Sequence, residues 1–297
     1  MRAQSSELDT RRGDRHSRWR SGVRKMGEGM RIPKPGVNVS PWRDESGVAH
    51  VVALSGGKDS TALALHLIEI EPRQYQFVCT PTGDELPEMF EHWLHLGELL
   101  GARILPVTGG ESLHSLIDKW TALPNNRMRW CTRVLKLEPY YRWLDSIAPV
   151  VSYVGLRADE EGRGGMEFPA LGDISVRFPL KEWGWIERDV WEYLDKRGVK
   201  IPARTDCARC YHQTLGEWWR LWHDHLGLYL DAEAQELSVS TARGKSITFR
   251  NATRDTWPAG LKPLRERFEN GEVPPRTVQT DDLFLGGRRN MCRACSL

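Results

Sequence analysis

The stretch VVALSGGKDSTAL, residues 51–63, decides the reading of the fold. A short apolar run ends in two glycines, a lysine, an aspartate and a serine, and an apolar helical pattern then begins. Gly56 and Gly57 let the backbone turn tightly and present successive N–H groups to an anion. A helix opening directly behind them adds partial positive charge at the same point. Lys58 supplies a full charge, Ser55 and Ser60 can donate from their hydroxyls, and Asp59 can cap the helix or reach a magnesium ion. Such a loop is built to hold phosphate. It is not a Walker A loop, because it is shorter and Lys58 is followed by Asp59.

Outward from this loop, the chain alternates strands with helices. Strands are predicted over 49–54, 75–79, 103–107 and 150–155. Helices are predicted over 61–70, 88–100 with Gly101 as its stop, 112–120 and 133–146. That pitch predicts an α/β fold with a doubly wound, mostly parallel sheet. Ligands then belong at the carboxyl ends of the strands, where 55–60, 80–88 and 155–163 fall. From about Phe178 the character changes. Trp183, Trp185, Trp191, Trp218, Trp219 and Trp222 crowd together and the strand alternation is lost. The expected organisation is a basic tail over 1–45, a nucleotide-binding domain over 46–205 and a smaller Cys/Trp-rich module over 206–297.

The net charge of +2 makes no case for nucleic acid by itself. The charge is uneven, however: residues 1–34 carry ten Arg or Lys against four acids. Such a segment buries too little apolar surface to fold alone, and it can touch phosphates. A solvated tail, or a true start at Met26 or Met30, are the plainer readings. Three acids in the first fourteen residues argue against a transit peptide. No apolar run is long enough to span a bilayer and no signal-peptide core follows Met1, so a cytoplasmic protein with no membrane partner is expected.

Cysteines stand at 79, 131, 207, 210, 292 and 295, four of them as two C-x-x-C pairs. In an intracellular protein that pattern points to metal or redox chemistry before structural disulfides. Cys207, Cys210, Cys292 and Cys295 make a full tetrahedral set for structural Zn2+. Cys79, at a strand end, reads as a buried small hydrophobe. Trp218, Trp219 and Trp222 have the spacing of a helix packed on a small core, and also the chemistry of a base-stacking platform. His212, His223 and His225 are further candidate ligands, although the cysteines suffice.

The Ser55-Gly56-Gly57-Lys58-Asp59-Ser60 order resembles the loop of the PP-loop ATP pyrophosphatase superfamily. Four other segments resemble the phosphoadenosine phosphosulfate (PAPS) reductase family within it. They are Thr82-Gly83-Asp84-Glu85-Leu86-Pro87-Glu88, then Arg129-Trp130-Cys131-Thr132-Arg133 with Lys136, then Gly155-Leu156-Arg157 with Arg163, and Phe178-Pro179-Leu180-Lys181-Glu182-Trp183 running into Asp189-Val190-Trp191. The resemblance implies that residues 55–60 grip the phosphates of ATP with Mg2+, and that Gly83 lies along the nucleotide. It also implies that Arg133, Lys136, Arg157 and Arg163 face an anionic substrate, with Lys58, Asp59 and Arg157 as the catalytic set. Related adenylyl-sulfate reductases hold a [4Fe-4S] cluster with a cysteine near position 131 and a downstream C-x-x-C. Cys131, Cys207 and Cys210 match three of those ligands, and the tail cysteines would supply the fourth.

The family's carboxy-terminal Glu-Cys-Gly-x-His motif is missing. The expectation is therefore an enzyme that cleaves ATP to AMP and pyrophosphate and adenylates a second substrate for sulfur or nitrogen transfer. Nucleic acid and a sulfur donor protein are its candidate partners. One rival is a sulfonucleotide reductase with Cys295 as nucleophile. Another is a non-catalytic nucleic-acid-binding protein, against which the intact Lys58-Asp59 pair argues.

Overall fold

A computed structural model describes residues 41–160, 172–251, 255–275 and 284–285, all within the unit Val39–Leu297. Residues 1–40 of the basic tail, Arg163, Cys292 and Cys295 lie outside the described residues.

Strand β1 (Ala49–Ala53) is buried along its whole length, which explains its continuous apolar sequence. It pairs in parallel with β2 (Gln76–Cys79) on one side and β4 (Val150–Tyr153) on the other. Val52 sits opposite both Phe77 and Tyr153. Strand β3 (Ile104–Pro106) extends the sheet beyond β2, and β5 (Ile174–Arg177) extends it beyond β4. The order β3-β2-β1-β4-β5, parallel throughout, is the expected doubly wound α/β sheet. Strand β5 went unpredicted, because an edge strand of mixed polarity and partial burial has no apolar run to betray it.

Helix α1 (Lys58–Ile70) follows β1, α2 (Pro87–Leu100) follows β2 and α3 (Leu113–Trp120) follows β3. One face of the sheet packs Val52, Leu54 and Phe77 against Leu63 and Leu67 of α1 and Val190, Trp191 and Leu194 of α6 (Glu187–Lys196), which follows the short α5 (Pro179–Glu182). The other face packs Val51, Ala53, Val78 and Val150 against Tyr140 and Leu144 of α4 (Glu138–Ser146). The alternation of Val51 and Val52 between two cores is the period of a strand buried on both sides.

The helix expected over 133–146 begins instead with a π-helical segment, Thr132–Leu137, in which the Glu138 N–H reaches the Arg133 carbonyl. Pro139 follows at once, with no N–H to donate and a ring that crowds the turn before it, and the wider ladder relieves that conflict.

Three further helices, α7 (Leu215–Asp224), α8 (Leu226–Arg243) and α9 (Leu261–Glu269), form a layer of their own. Thr214 and Glu217 close a capping box at the start of α7. Trp218 is fully buried and meets Tyr229 edge-on, while Trp222 lies against Phe268. Leu86 and Leu113, Leu116 and Ile117 of α3 belong to the same core. Core packing, rather than base stacking, accounts for Trp218 and Trp219. A short antiparallel pair joins β6 (Ile201–Pro202) to β7 (Phe284–Leu285). Among the described residues no helix is long and apolar enough to cross a membrane.

Candidate functional site

The strand order reverses direction between β1 and β4, so the loops leaving those two strands face one crevice. Loop 55–60 leaves β1. Gly56 has a φ of +86°, and Gly57 is the N-cap of α1 in extended conformation. The Gly56 N–H donates to Ser60 Oγ at 3.2 Å and the Gly57 N–H to Ser55 Oγ at 3.3 Å. The two hydroxyls lie 3.0 Å apart. Two backbone donors and two hydroxyls are thus gathered at one helix N-terminus, as an anion site requires.

Lys58 is 4% exposed, with Nζ 3.0 Å from Asp59 Oδ2 and 3.7 Å from Glu187 Oε1. Asp59 does not cap α1; its Oδ2 instead also accepts from Arg157 Nη1 at 2.9 Å. Asp59 Oδ1 is buried and accepts no hydrogen bond. An oxygen left this way fits a hard cation such as Mg2+.

The loop after β4 supplies the other wall. Gly155 lies so close to α1 that a Cβ there would stand 3.1 Å from the Ser60 backbone nitrogen and Cα. Arg157 is buried and donates from Nε to Asp159 Oδ1 at 2.8 Å. Burial opposes its charge, but the Asp59 and Asp159 carboxylates outweigh that and raise its pKa. The resemblance implies that Arg157 faces an anionic substrate; here its Nη1 and Nε bond the Asp59 and Asp159 carboxylates. Glu187 contacts Lys58 from α6; it lies within the 178–191 stretch, but nothing in that stretch singles it out as a site residue.

Loop 82–88 closes the crevice beyond β2. The Glu85 carboxylate accepts from the Thr82, Gly83 and Asp84 N–H groups at 2.6, 2.9 and 3.2 Å and from the Thr82 hydroxyl at 2.7 Å. Gly83 has a φ of +77°, and a Cβ there would meet Ser112 Cβ at 2.8 Å. Its glycine is therefore demanded by the packing of this loop on α3. Asp84 bonds Arg209, between Cys207 and Cys210.

The π-helical segment carries Arg133, 69% exposed with Nε 3.7 Å from Glu138, and Lys136. The positive charge of Lys136 acts on the thiols of both Cys131 and Cys207. A hydrogen bond to Cys210, then burial, drives the Cys207 pKa up; burial, then Cys210, raises that of Cys131. These three cysteines are free thiols that sense one another. Among the described residues, however, no group of three His, Cys, Asp or Glu is arranged to hold a metal ion. Cys79 is buried, as expected, and burial raises its pKa. His225 Nε2 bonds Glu88 at 2.7 Å, and His223 bonds Asp224.

The family model described as the phosphoadenosine phosphosulfate reductase domain matches residues 49–203, more than half of the chain. The chain belongs to this family. The match takes in the phosphate loop, loop 82–88, the π-helical segment and the Arg157 loop, and stops just short of Cys207. A curated relative of the PAPS reductase-family chain, an uncharacterised protein of Methanocaldococcus jannaschii, is 24% identical over 179 residues. That match covers 56% of this chain and 37% of the relative, so the chain spans little more than a third of the relative's length. Among solved structures, PAPS reductase from Candida auris is 14% identical with a TM-score of 0.40, covering 67% of this chain and 91% of that one. NMN synthetase from Francisella tularensis is 15% identical with a TM-score of 0.37, covering 77% and 89%.

Proposed function

We propose that this PAPS reductase-family chain binds ATP with Mg2+, cleaves it to AMP and pyrophosphate, and adenylates a second substrate for sulfur or nitrogen transfer. The observation that carries this reading is the meeting of loop 55–60, through its Lys58 and Asp59, with Arg157 at the switch between β1 and β4. An oxygen of the second substrate attacks the α-phosphorus, and the bond from that phosphorus to the bridging oxygen breaks. Pyrophosphate leaves with the electron pair. The Gly56 and Gly57 N–H groups and Lys58 offset the charge that builds on it. The sulfur or nitrogen donor then attacks the carbon that bears the adenylated oxygen, and AMP leaves with that oxygen. Asp59 Oδ1 would hold Mg2+, which supplies Lewis-acid polarisation of the phosphates. Arg157 keeps Asp59 in place.

Nucleic acid is the proposed second substrate, with a sulfur donor protein as a further partner and the cytoplasm as the setting. Residues 206–297 and the basic tail would present that substrate to the domain at 46–205. Cys131, Cys207 and Cys210, completed by a tail cysteine, are proposed to hold a [4Fe-4S] cluster; the alternative is structural Zn2+ on Cys207, Cys210, Cys292 and Cys295. The raised thiol pKa values mean that such a metal would have to displace protons. No step depends on it.

The family match favours a second reading, reduction of PAPS or adenylyl sulfate. That reaction needs a thiolate to attack sulfur, which would fall to Cys295, and the carboxy-terminal Glu-Cys-Gly-x-His motif that carries this nucleophile in the reductases is missing. A product assay separates the two readings. Pyrophosphate and AMP are expected from ATP only with the second substrate present, and no sulfite from PAPS with thioredoxin as reductant. Sulfite release that vanishes on Cys295→Ser would overturn the adenylation reading.

A further inference from the structure

The phosphate loop has a rear face as well as a binding face. On the rear face, the Ser55 carbonyl accepts from Trp93 Nε1 at 3.1 Å and the Gly56 carbonyl meets His92 Nε2 at 3.0 Å. Both side chains come from α2 and both are buried, His92 to 1% exposure. Burial pulls the His92 pKa down to about 4, against the pull of the Gly56 contact, so the ring is neutral near pH 7. A carbonyl oxygen can only accept, and the neutral ring must therefore carry its proton on Nε2. Trp93 and Met89 also occupy the space where a Gly56 Cβ would sit, at 2.8 and 2.9 Å.

The peptide unit is planar, so fixing a carbonyl fixes the N–H on its far side. The Ser55 carbonyl shares its peptide with the Gly56 N–H, and the Gly56 carbonyl shares its peptide with the Gly57 N–H. Those two N–H groups are the loop's donors, bonded to Ser60 and Ser55. Trp93 thereby sets the direction of one donor and His92 that of the other, and a bonded carbonyl polarises its own N–H further.

We propose that His92 and Trp93 are positioning residues that hold the Gly56 and Gly57 peptides in the geometry that receives a bound pyrophosphate moiety. With those peptides they hold the Ser60 and Ser55 hydroxyls that the two N–H groups bond. This rests on the reading of loop 55–60 as a phosphate site. Neither residue touches the ligand; each acts through one peptide plane.

The test measures inorganic pyrophosphate and adenosine binding by calorimetry, with thermal unfolding alongside, on the full chain and on Trp93→Phe, His92→Leu and His92→Gln. Trp93→Phe keeps an aromatic ring and removes only the donor. His92→Gln restores a donor that His92→Leu lacks. Losing one neutral hydrogen bond corresponds to about fivefold to tenfold weaker pyrophosphate binding in Trp93→Phe and His92→Leu. His92→Gln should recover most of that loss, and adenosine affinity should not move in any variant. Pyrophosphate affinity unchanged in both donor-less variants overturns the proposal and leaves the phosphate-site reading intact. Equal losses for pyrophosphate and adenosine, with a matching fall in Tm, reduce the two residues to packing and also overturn it. A wild-type chain that binds no pyrophosphate removes the phosphate-site reading itself, and the proposal with it. If His92→Leu does not fold, Trp93→Phe decides alone, because its donor serves a separate peptide.

Discussion

Arg209 and Asp84 form an enclosed ion pair that ties the turn between Cys207 and Cys210 to the loop after β2. Arg209 donates to the Asp84 carboxylate from Nε at 2.8 Å and Nη2 at 2.7 Å, and its backbone N–H adds a third contact at 3.1 Å. The Ala208 N–H reaches the Asp84 carbonyl at 2.6 Å. Arg209 Nη1 continues to Gln235 on α8, which bonds Asp118 on α3. The thiol turn, the candidate nucleotide site and the helical layer are held by this one side chain.

Removing Arg209 leaves Asp84 buried without its partner. Arg209→Ala is expected to destabilise the fold by about 3–5 kcal/mol in urea denaturation, and Arg209→Lys to recover only part of it. A loss under about 1 kcal/mol for Arg209→Ala would mean that water replaces the pair at little cost.

Lys58 carries the only full positive charge within loop 55–60. Lys58→Ala is expected to weaken ATP–Mg binding roughly tenfold or more, since a charge-assisted phosphate contact contributes about 1.5–3 kcal/mol. Asp59→Ala is expected to weaken it by a similar factor through loss of the oxygen assigned to Mg2+. Turnover should be lost in both variants. Wild-type binding and turnover in both would remove the site assignment.

Gly155 has no room for a side chain. A methyl group there would meet the Ser60 backbone nitrogen and Cα at 3.1 Å and the Asp59 carbonyl carbon at 3.2 Å, none of which can swing aside. Gly155→Ala is expected to cost about 1–3 kcal/mol of stability by overpacking. It should also weaken nucleotide binding, because the start of α1 has to shift. Nucleotide affinity left intact would show that the helix start moves without carrying the loop.

Glu236 on α8 accepts from the Leu261 N–H at 2.7 Å and the Phe249 N–H at 2.9 Å. Burial pushes its pKa up to about 7 from 4.5, against the pull of those two N–H groups. A raised carboxyl binds its proton more tightly in the folded state. Its contribution is therefore full below pH 4.5 and is lost as pH rises toward 7. At 1.36 kcal/mol per pKa unit the span is roughly 3 kcal/mol. Glu236→Gln cannot ionise, so its stability relative to wild type should improve from pH 5 to pH 8, read from paired denaturation curves. A pH-independent difference would mean that Glu236 is already ionised at pH 5.

Much of the fold was legible in local sequence. The apolar runs before Ser55 and around Phe77 predict strands, and the two glycines ahead of Lys58 predict the turn into α1, because burial and backbone freedom act on neighbouring residues. The register, β5 and the π-helical segment were not legible. Strand pairing and the strain around Pro139 depend on what packs alongside.

The sequence by itself determined the α/β alternation, the glycine turn that opens α1 at residues 55–60, and the helical spacing that buries Trp218. Only the tertiary structure decided the partners. Arg157 reads as a cation for a substrate, yet it bonds Asp59, 98 positions away in the chain. Arg209 looks like filler in a C-x-x-C turn, yet it neutralises Asp84 across 125 positions. His92 and Trp93 carry no motif, yet they back the phosphate loop from 36 and 38 positions away. A buried charge or donor takes whichever partner the strand order brings within about 3 Å, and sequence separation does not encode that distance.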